Sequence, residues 1–342
     1  MALCFVFAYD NCMKEFKHYL ASANTGVGFV DNFNSILEED EKGYCYIIKG
    51  GSGTGKSTML NKVAEHFANL GYEIEFFHCS SDFNSLDGVR IVELNVSVID
   101  GTAPHTKDAG LPSINAEIVN VGEYIGRGVA RHRAQIEKLV KQKGENYKQI
   151  YAYLAICKAF EDIVYEHYKG CFDAGWFEAE YEKFLSSLNL CQQNEYASER
   201  HLFLEYVGES GIETTLERNK YKNIIKLNFN AYQFELLSGR LLRILKDYNY
   251  NFIVFHSVIN NGIKALYIRQ IDLFICYEEG YKSGVVAFNN KLQKQIIARV
   301  ANTLKATKKL HKGIEKYYIA NVNFDGVNAL TERLVQKIAK YA

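Results

Sequence analysis

The chain has almost no proline: two residues in 342, Pro104 and Pro112, set close together. Stiff proline-rich linkers are thereby excluded, and the pair marks one purposeful loop. The eight cysteines include no CxxC pair, so neither a zinc site nor a disulfide frame is expected. No apolar run approaches the roughly 20 residues of a membrane span. The opening MALCFVFAYDNCMKEF has no basic flank and no small-residue cleavage site, which argues against a secretory leader. Residues 1–12 are expected to be an extension, or a misassigned start ahead of Met13. Reduced thiols without a leader point to the cytoplasm. Net charge is also missing, with 40 basic residues against 40 acidic. Nothing electrostatic then favours nucleic acid or an anionic membrane as partner.

What is present is the material of a large soluble core. Hydrophobic residues make up 48% and charged residues 23%, and the length suggests two domains. YCYIIK (44–49) reads as a buried strand, and STMLNKVAEHFANLG (57–71) as a helix with Met59, Leu60, Val63 and Phe67 on one face. Between them GGSGTGKS fits G-x-x-x-x-G-K-[ST]. Glycines let a backbone bend round an anion, so that successive N–H groups and a helix N-terminus meet phosphate oxygens. The expected ATP site is Gly50, Gly51, Ser52, Gly53, Thr54, Gly55, Lys56, Ser57 and Thr58. Lys56 would reach the β- and γ-phosphates and Ser57 would ligate Mg²⁺.

Two further strands are expected, YEIEFF (72–77) and VELNVSVID (92–100), separated by the polar loop HCSSDFNSLDGV (78–89). Asp100, closing the later strand, is the candidate second magnesium residue. Asp82 and Asp87 fall in the loop at the carboxyl edge, where α/β ligands gather, although each could equally cap a helix. His105, after Pro104, is either a general base or phosphate sensor, or a histidine that holds its turn.

A second copy of this frame is visible. IIK at 47–49 recurs at 224–226, GYEIEFFH (71–78) aligns with NYNFIVFH (249–256), and NVSVID (95–100) with DLFICY (272–277). Residues 152–168 resemble 301–318. In this alignment Gly55, Lys56 and Ser57 become Tyr232, Gln233 and Phe234, and Asp100 becomes Tyr277. The second half therefore reads as a scaffold without a nucleotide. His78 persists as His256, which favours a structural role. The helices at 127–190 and 287–318 carry aromatic stripes of core type. Of their basic residues only Arg127, Arg131 or Arg133 could sense phosphate.

YLASANTGVGFVDNFNSIL (19–37), the glycine loop, HCSSDFNSLDGV, DGTAPH (100–105) and YIANVNFDGV (318–327) together resemble a bacterial family of poorly characterised P-loop ATPases, described as ATPases or nucleotide kinases with a duplicated NTPase core. The resemblance runs from about Lys14 onward. It implies ATP at Gly50–Ser57 and gives weight to Asp82, Asp87, Asp100 and His105. Family members often keep a phosphate loop in both halves, which this chain does not. The expectation is thus an α/β P-loop NTPase, a parallel sheet flanked by helices, duplicated as residues 1–190 and 198–342 with appended helical segments. Mg²⁺-dependent ATP hydrolysis is the expected activity. A kinase acting on a small molecule or nucleotide, or a non-catalytic nucleotide-gated module, are the alternatives. No N-K-x-D motif suggests guanine. The expected partners are ATP and a small molecule or protein.

Overall fold

A computed structural model describes residues 16–37, 43–194, 197–278 and 284–342; the expected extension at 1–12 lies outside them. The first half lays down β1 (Lys17–Tyr19), the hairpin β2 (Ser22–Thr25) and β3 (Gly28–Asp31), β4 (Tyr44–Lys49), α1 (Lys56–Asn69), β5 (Ile74–His78), β6 (Leu86–Ile91), β7 (Val96–Asp100), β8 (Ala116–Asn120), α2 (Arg133–Gly170) and α3 (Ala174–Ser187). The second half follows with β9 (Glu199–Leu202), the hairpin β10 (Glu205–Gly208) and β11 (Gly211–Thr214), β12 (Asn223–Leu227), α4 (Ala231–Asp247), β13 (Phe252–His256), β14 (Ile263–Ile268), β15 (Leu273–Tyr277), α5 (Gly284–Ile319) and α6 (Phe324–Ile338). The strand orders match: β1-β5-β6-β7-β4-β8 and β9-β13-β14-β15-β12.

Both sheets are mixed, which corrects the expectation of a parallel sheet. β6 runs antiparallel to β5 and β7, and β14 antiparallel to β13 and β15, while the remaining pairs are parallel. The reason is connection length. Residues 79–85 and 92–95 are too few for a parallel crossover, which needs about a dozen residues, so the chain must fold back on itself. The expected loop at 78–89 is therefore half strand. The expected strand at 92–100 starts only at Val96, after a turn where Asn95 takes a φ of 46°.

Alternation along each strand builds two apolar faces. Tyr46 and Ile48 of β4 meet α1, while Ile47 joins Tyr19, Phe77, Leu202, Phe255 and Phe274 in a core between the two sheets. Helices thus flank each sheet on one side only, and the other side is covered by the opposite sheet. Across this seam Glu75 of β5 is held by Arg200 of β9 at 2.9 and 2.7 Å and by Arg90 at 3.4 Å.

The helical hairpins cross over. α6 brings Val327, Leu334 and Ile338 into the core beneath α1, whereas α3 brings Phe177, Tyr181 and Phe184 onto α4. α2 and α5 pack along each other. Their burial repeats at an offset of 150: Ile150, Leu154, Cys157 and Val164 correspond to Val300, Leu304, Thr307 and Ile314, all buried. Among the described residues no helix is long and apolar enough to cross a membrane.

Candidate functional site

β4 lies inside the first sheet, between β7 and β8, and releases the chain at Lys49 into the Gly50–Gly55 loop. Gly53 and Gly55 take φ of 69° and 88°, a left-handed conformation that a side chain would strain. Thr54 Oγ1 donates to the Gly51 carbonyl at 2.8 Å and closes the turn. Gly55 is the N-cap of α1 and offers no side chain to the first helical N–H groups. Those donors remain available to an anion. Lys56 Nζ folds over the loop, donating to Gly50 O at 3.1 Å and Gly51 O at 2.8 Å, with an Asp100 oxygen 3.5 Å away.

Asp100 ends β7, paired with Ile48 of β4. Its carboxylate accepts from Thr102 N at 2.9 Å, and Thr102 Oγ1 donates to Gly50 O at 3.1 Å, tying this strand end to the loop. Asp87, on β6, is buried, and its Oδ2 has no hydrogen-bond partner among the described residues. Burial, then the Asp100 charge, pushes its pKa up to about 8. His105 is buried and stacked on Phe33 at 4.6 Å; burial lowers its pKa. One ligand atom from each of Asp87, Asp100 and His105 lies within 4.8 Å of the others. Hard carboxylate oxygens together with the Ser57 hydroxyl suit Mg²⁺, and the orphaned Asp87 oxygen is the kind of group a cation would satisfy.

The other expected residues divide. Ser57 Oγ accepts from Leu86 N at 3.0 Å, joining α1 to β6. Ser52 is half-buried and Thr58 exposed. Asp82 does not join the trio: its carboxylate takes Lys308 of α5 at 2.8 Å. His78 is structural. Its Nε2 lies 2.9 Å from His18 Nδ1 and its Nδ1 lies 2.8 Å from Phe83 O. His201 and His256 repeat the pair at 2.8 Å.

Cations reach this site from places the sequence did not advertise. Arg90 of β6 and Lys107, the only lysine or arginine residues in 78–91 and 101–126, are turned to Glu75 and Asn95, and to Asn34. Arg133 is exposed and paired with Glu137 at 2.6 Å. Instead α2 supplies Lys143, 3.2 Å from His311, and α5 supplies Lys308. The α5–α6 corner closes over the loop. A Cβ on Gly51 would stand 2.9 Å from the Tyr318 ring, and one on Gly53 would stand 3.1 Å from Glu315 O. Burial raises the Glu315 pKa and lowers that of His311 to about 4. The repeat of 152–168 in 301–318 reveals the helix but not that it crosses to the other half.

In the second half the alignment needs correcting. Ile47 pairs with Ile99 as Lys226 pairs with Cys276, so β4 maps to β12 at an offset of 179 (226 − 47). The buried rhythm Leu60, Val63, Phe67 returns at Phe234, Leu237, Leu241, an offset of 174 (234 − 60). Five residues are therefore missing between β12 and α4 (179 − 174). Tyr232, Gln233 and Phe234 do not replace Gly55, Lys56 and Ser57; the loop is deleted. Asn230 and Gln233 form a capping box that closes the α4 N-terminus. Tyr277 does stand at the Asp100 position, since β7 and β15 keep a constant offset of 177 (277 − 100).

No family model matches the chain, and no solved structure matches it. A stretch of 33 residues is 52% identical to part of a thymidylate kinase from Protochlamydia amoebophila (strain UWE25). It covers 10% of this chain and 15% of that kinase. Over that short stretch, the chain is similar to a nucleotide kinase.

Proposed function

We propose that the chain binds ATP, its phosphates cradled by Gly50–Ser57, and transfers the γ-phosphoryl group to water with Mg²⁺ held by Ser57 and Asp100. The observation that carries this reading is Lys56, folded onto two carbonyls of a loop whose helix end no side chain caps. An ammonium resting on its own loop is ready to turn to incoming phosphate oxygens. Phosphoryl transfer asks of a protein mainly positioning and charge neutralisation. Bound magnesium would supply charge neutralisation between the phosphates. Asp87, with its pKa at about 8, holds or yields a proton close to neutrality and is placed to orient the attacking water. Loss of the γ-phosphate changes the charge beside Lys143 of α2 and Lys308 and Glu315 of α5, so these two packed helices are the elements that feel turnover.

A kinase is the second reading. Lys143 and Lys308 offer the cations a phosphorylated acceptor needs, and the short similarity is to a nucleotide kinase. One assay separates the two: phosphate release from ATP with and without nucleoside monophosphates. Free phosphate alone supports hydrolysis; transfer to a monophosphate with no free phosphate supports the kinase. Lys56→Ala should weaken ATP binding at least about tenfold, the loss expected for a charge-assisted contact, with the far-ultraviolet spectrum unchanged. Equal ATP binding by this variant would sink both readings.

A further inference from the structure

The second half keeps an open space at the matching position, lined by different chemistry. A cavity of about 620 Å³ opens where β14, β15 and α4 meet the two long helices. That volume falls within the range of about 300–1,000 Å³ typical of small-molecule pockets. It is lined by Glu161 and Tyr165 of α2, Gln293 of α5, Lys264 of β14, Tyr277 of β15 and Glu235 of α4. The helix offset of 150 equates Glu161, Tyr165 and Gln293 with His311, Glu315 and Lys143. The strand offset of 177 equates Lys264 and Tyr277 with Asp87 and Asp100. The cavity is thus the counterpart of the glycine-loop site, opened by the five-residue deletion before α4.

Carboxylates outnumber cations in its lining, Glu161, Glu205 and Glu235 against Lys264 and Lys294, which disfavours phosphate. Lys56 gives way to Asn230 at the α4 offset, Lys143 to Gln293 and His311 to Glu161, while Lys264 stands in the place of Asp87. The α4 amides are closed by their own capping box. What stands there instead accepts hydrogen bonds. Gln293 donates to Glu161 at 3.1 Å, and Tyr165 bonds Glu235. A carboxylate has about four acceptor sites, so it can take a ligand's donors while keeping its partners in the protein. The Tyr165 and Tyr277 rings add flat apolar area.

We infer that this cavity binds a small unphosphorylated molecule about the size of a nucleoside, recognised through its amino groups by Glu161 and Glu235. The inference stands whether or not a nucleotide binds at Gly50–Ser57, because none of its residues belongs to that loop.

The test is calorimetric titration of the full chain with adenosine and agmatine, which present amino groups without phosphate, beside AMP and inorganic phosphate. At least one of the first two should saturate below about 1 mM, the weak end of specific binding. Glu161→Gln and Glu235→Gln should each weaken it about tenfold or more, as loss of a charged acceptor predicts. Ala298→Trp, filling the cavity, should abolish it, and Lys56→Ala should leave it unchanged. Glu235 is exposed, so its variant should fold even if Ala298→Trp does not, and the unfolding midpoint verifies this. Absence of binding by both probes, unchanged affinity in the two glutamine variants, or AMP binding here in the Lys56→Ala protein would each overturn the inference.

Discussion

Burial and the Asp100 charge raise the Asp87 pKa to about 8, which favours its protonated form at pH 7 when no cation is bound beside Asp100 and His105. Asp87→Asn should therefore be as stable as the parent or more so at pH 7 in urea unfolding, while phosphate release falls. Asp100→Asn should differ: nucleotide binding survives, and magnesium-dependent turnover drops by about a hundredfold, the scale of losing one transition-state charge contact. If both variants keep full turnover, neither carboxylate serves the reaction. The glycine loop is legible in the sequence because positive φ and bare amides demand glycine at fixed spacing. The trio is only partly legible. The run SLDGV around Asp87 suggests a loop, and only the ladder shows a strand. His105 owes its place to stacking on Phe33, a contact no spacing encodes.

At the level of elements, the frame β4–loop–α1 follows from local pattern. β6 does not. Its buried Asp87 and Arg90 break apolar alternation; Asp87 is tolerated by holding a proton and by its hydrogen bond with Cys79, and Arg90 by its distant partner Glu75. Letters also mislead in the second half. IIK matches IIK, yet the ladder sets Ile225 opposite Ile275, the place that Tyr46 holds opposite Val98 in the first half. α6 gives the sharpest test of the crossing. Leu334 is 2% exposed within the core beneath α1. Leu334→Ala should cost about 2–5 kcal/mol in chemical denaturation. It should also weaken binding at the phosphate loop, although it lies far from that loop in sequence. A loss of stability below about 1 kcal/mol would mean that α6 does not share the α1 core.

Over the whole molecule, one buried histidine, His78, and three half-buried ones set the response to acid. Burial lowers His18 and His311 to about 4 and His78 to about 3, and it lowers His256 as well. The unfolded chain takes up these protons near its ordinary value of 6.5, while the folded chain refuses them. Stability from this source is therefore complete above about 6.5 and drains away as pH falls towards 4. Glu75 adds a later loss. Burial alone would raise its pKa, but Arg200 and Arg90 outweigh it and hold it at about 2. Its contribution disappears between the unfolded value of 4.5 and that point. Unfolding midpoints measured from pH 8 to 3 should decline throughout the range below about 6.5. A flat profile between 6.5 and 4.5 would show that these rings are protonated in the folded state.

The exchanged hairpins carry an implication for ancestry. Each sheet is roofed by one helix of its own segment, α1 or α4, joined by one from the opposite segment, α6 or α3. A primitive polypeptide with only one such segment would have kept the α1-type helix but lacked the rest of its roof. Two identical copies trading helices would complete both roofs, so the exchange seen within this chain is the one a homodimer of single segments would make. In the present chain one segment carries the glycine loop, and the other has an open chamber in the corresponding place.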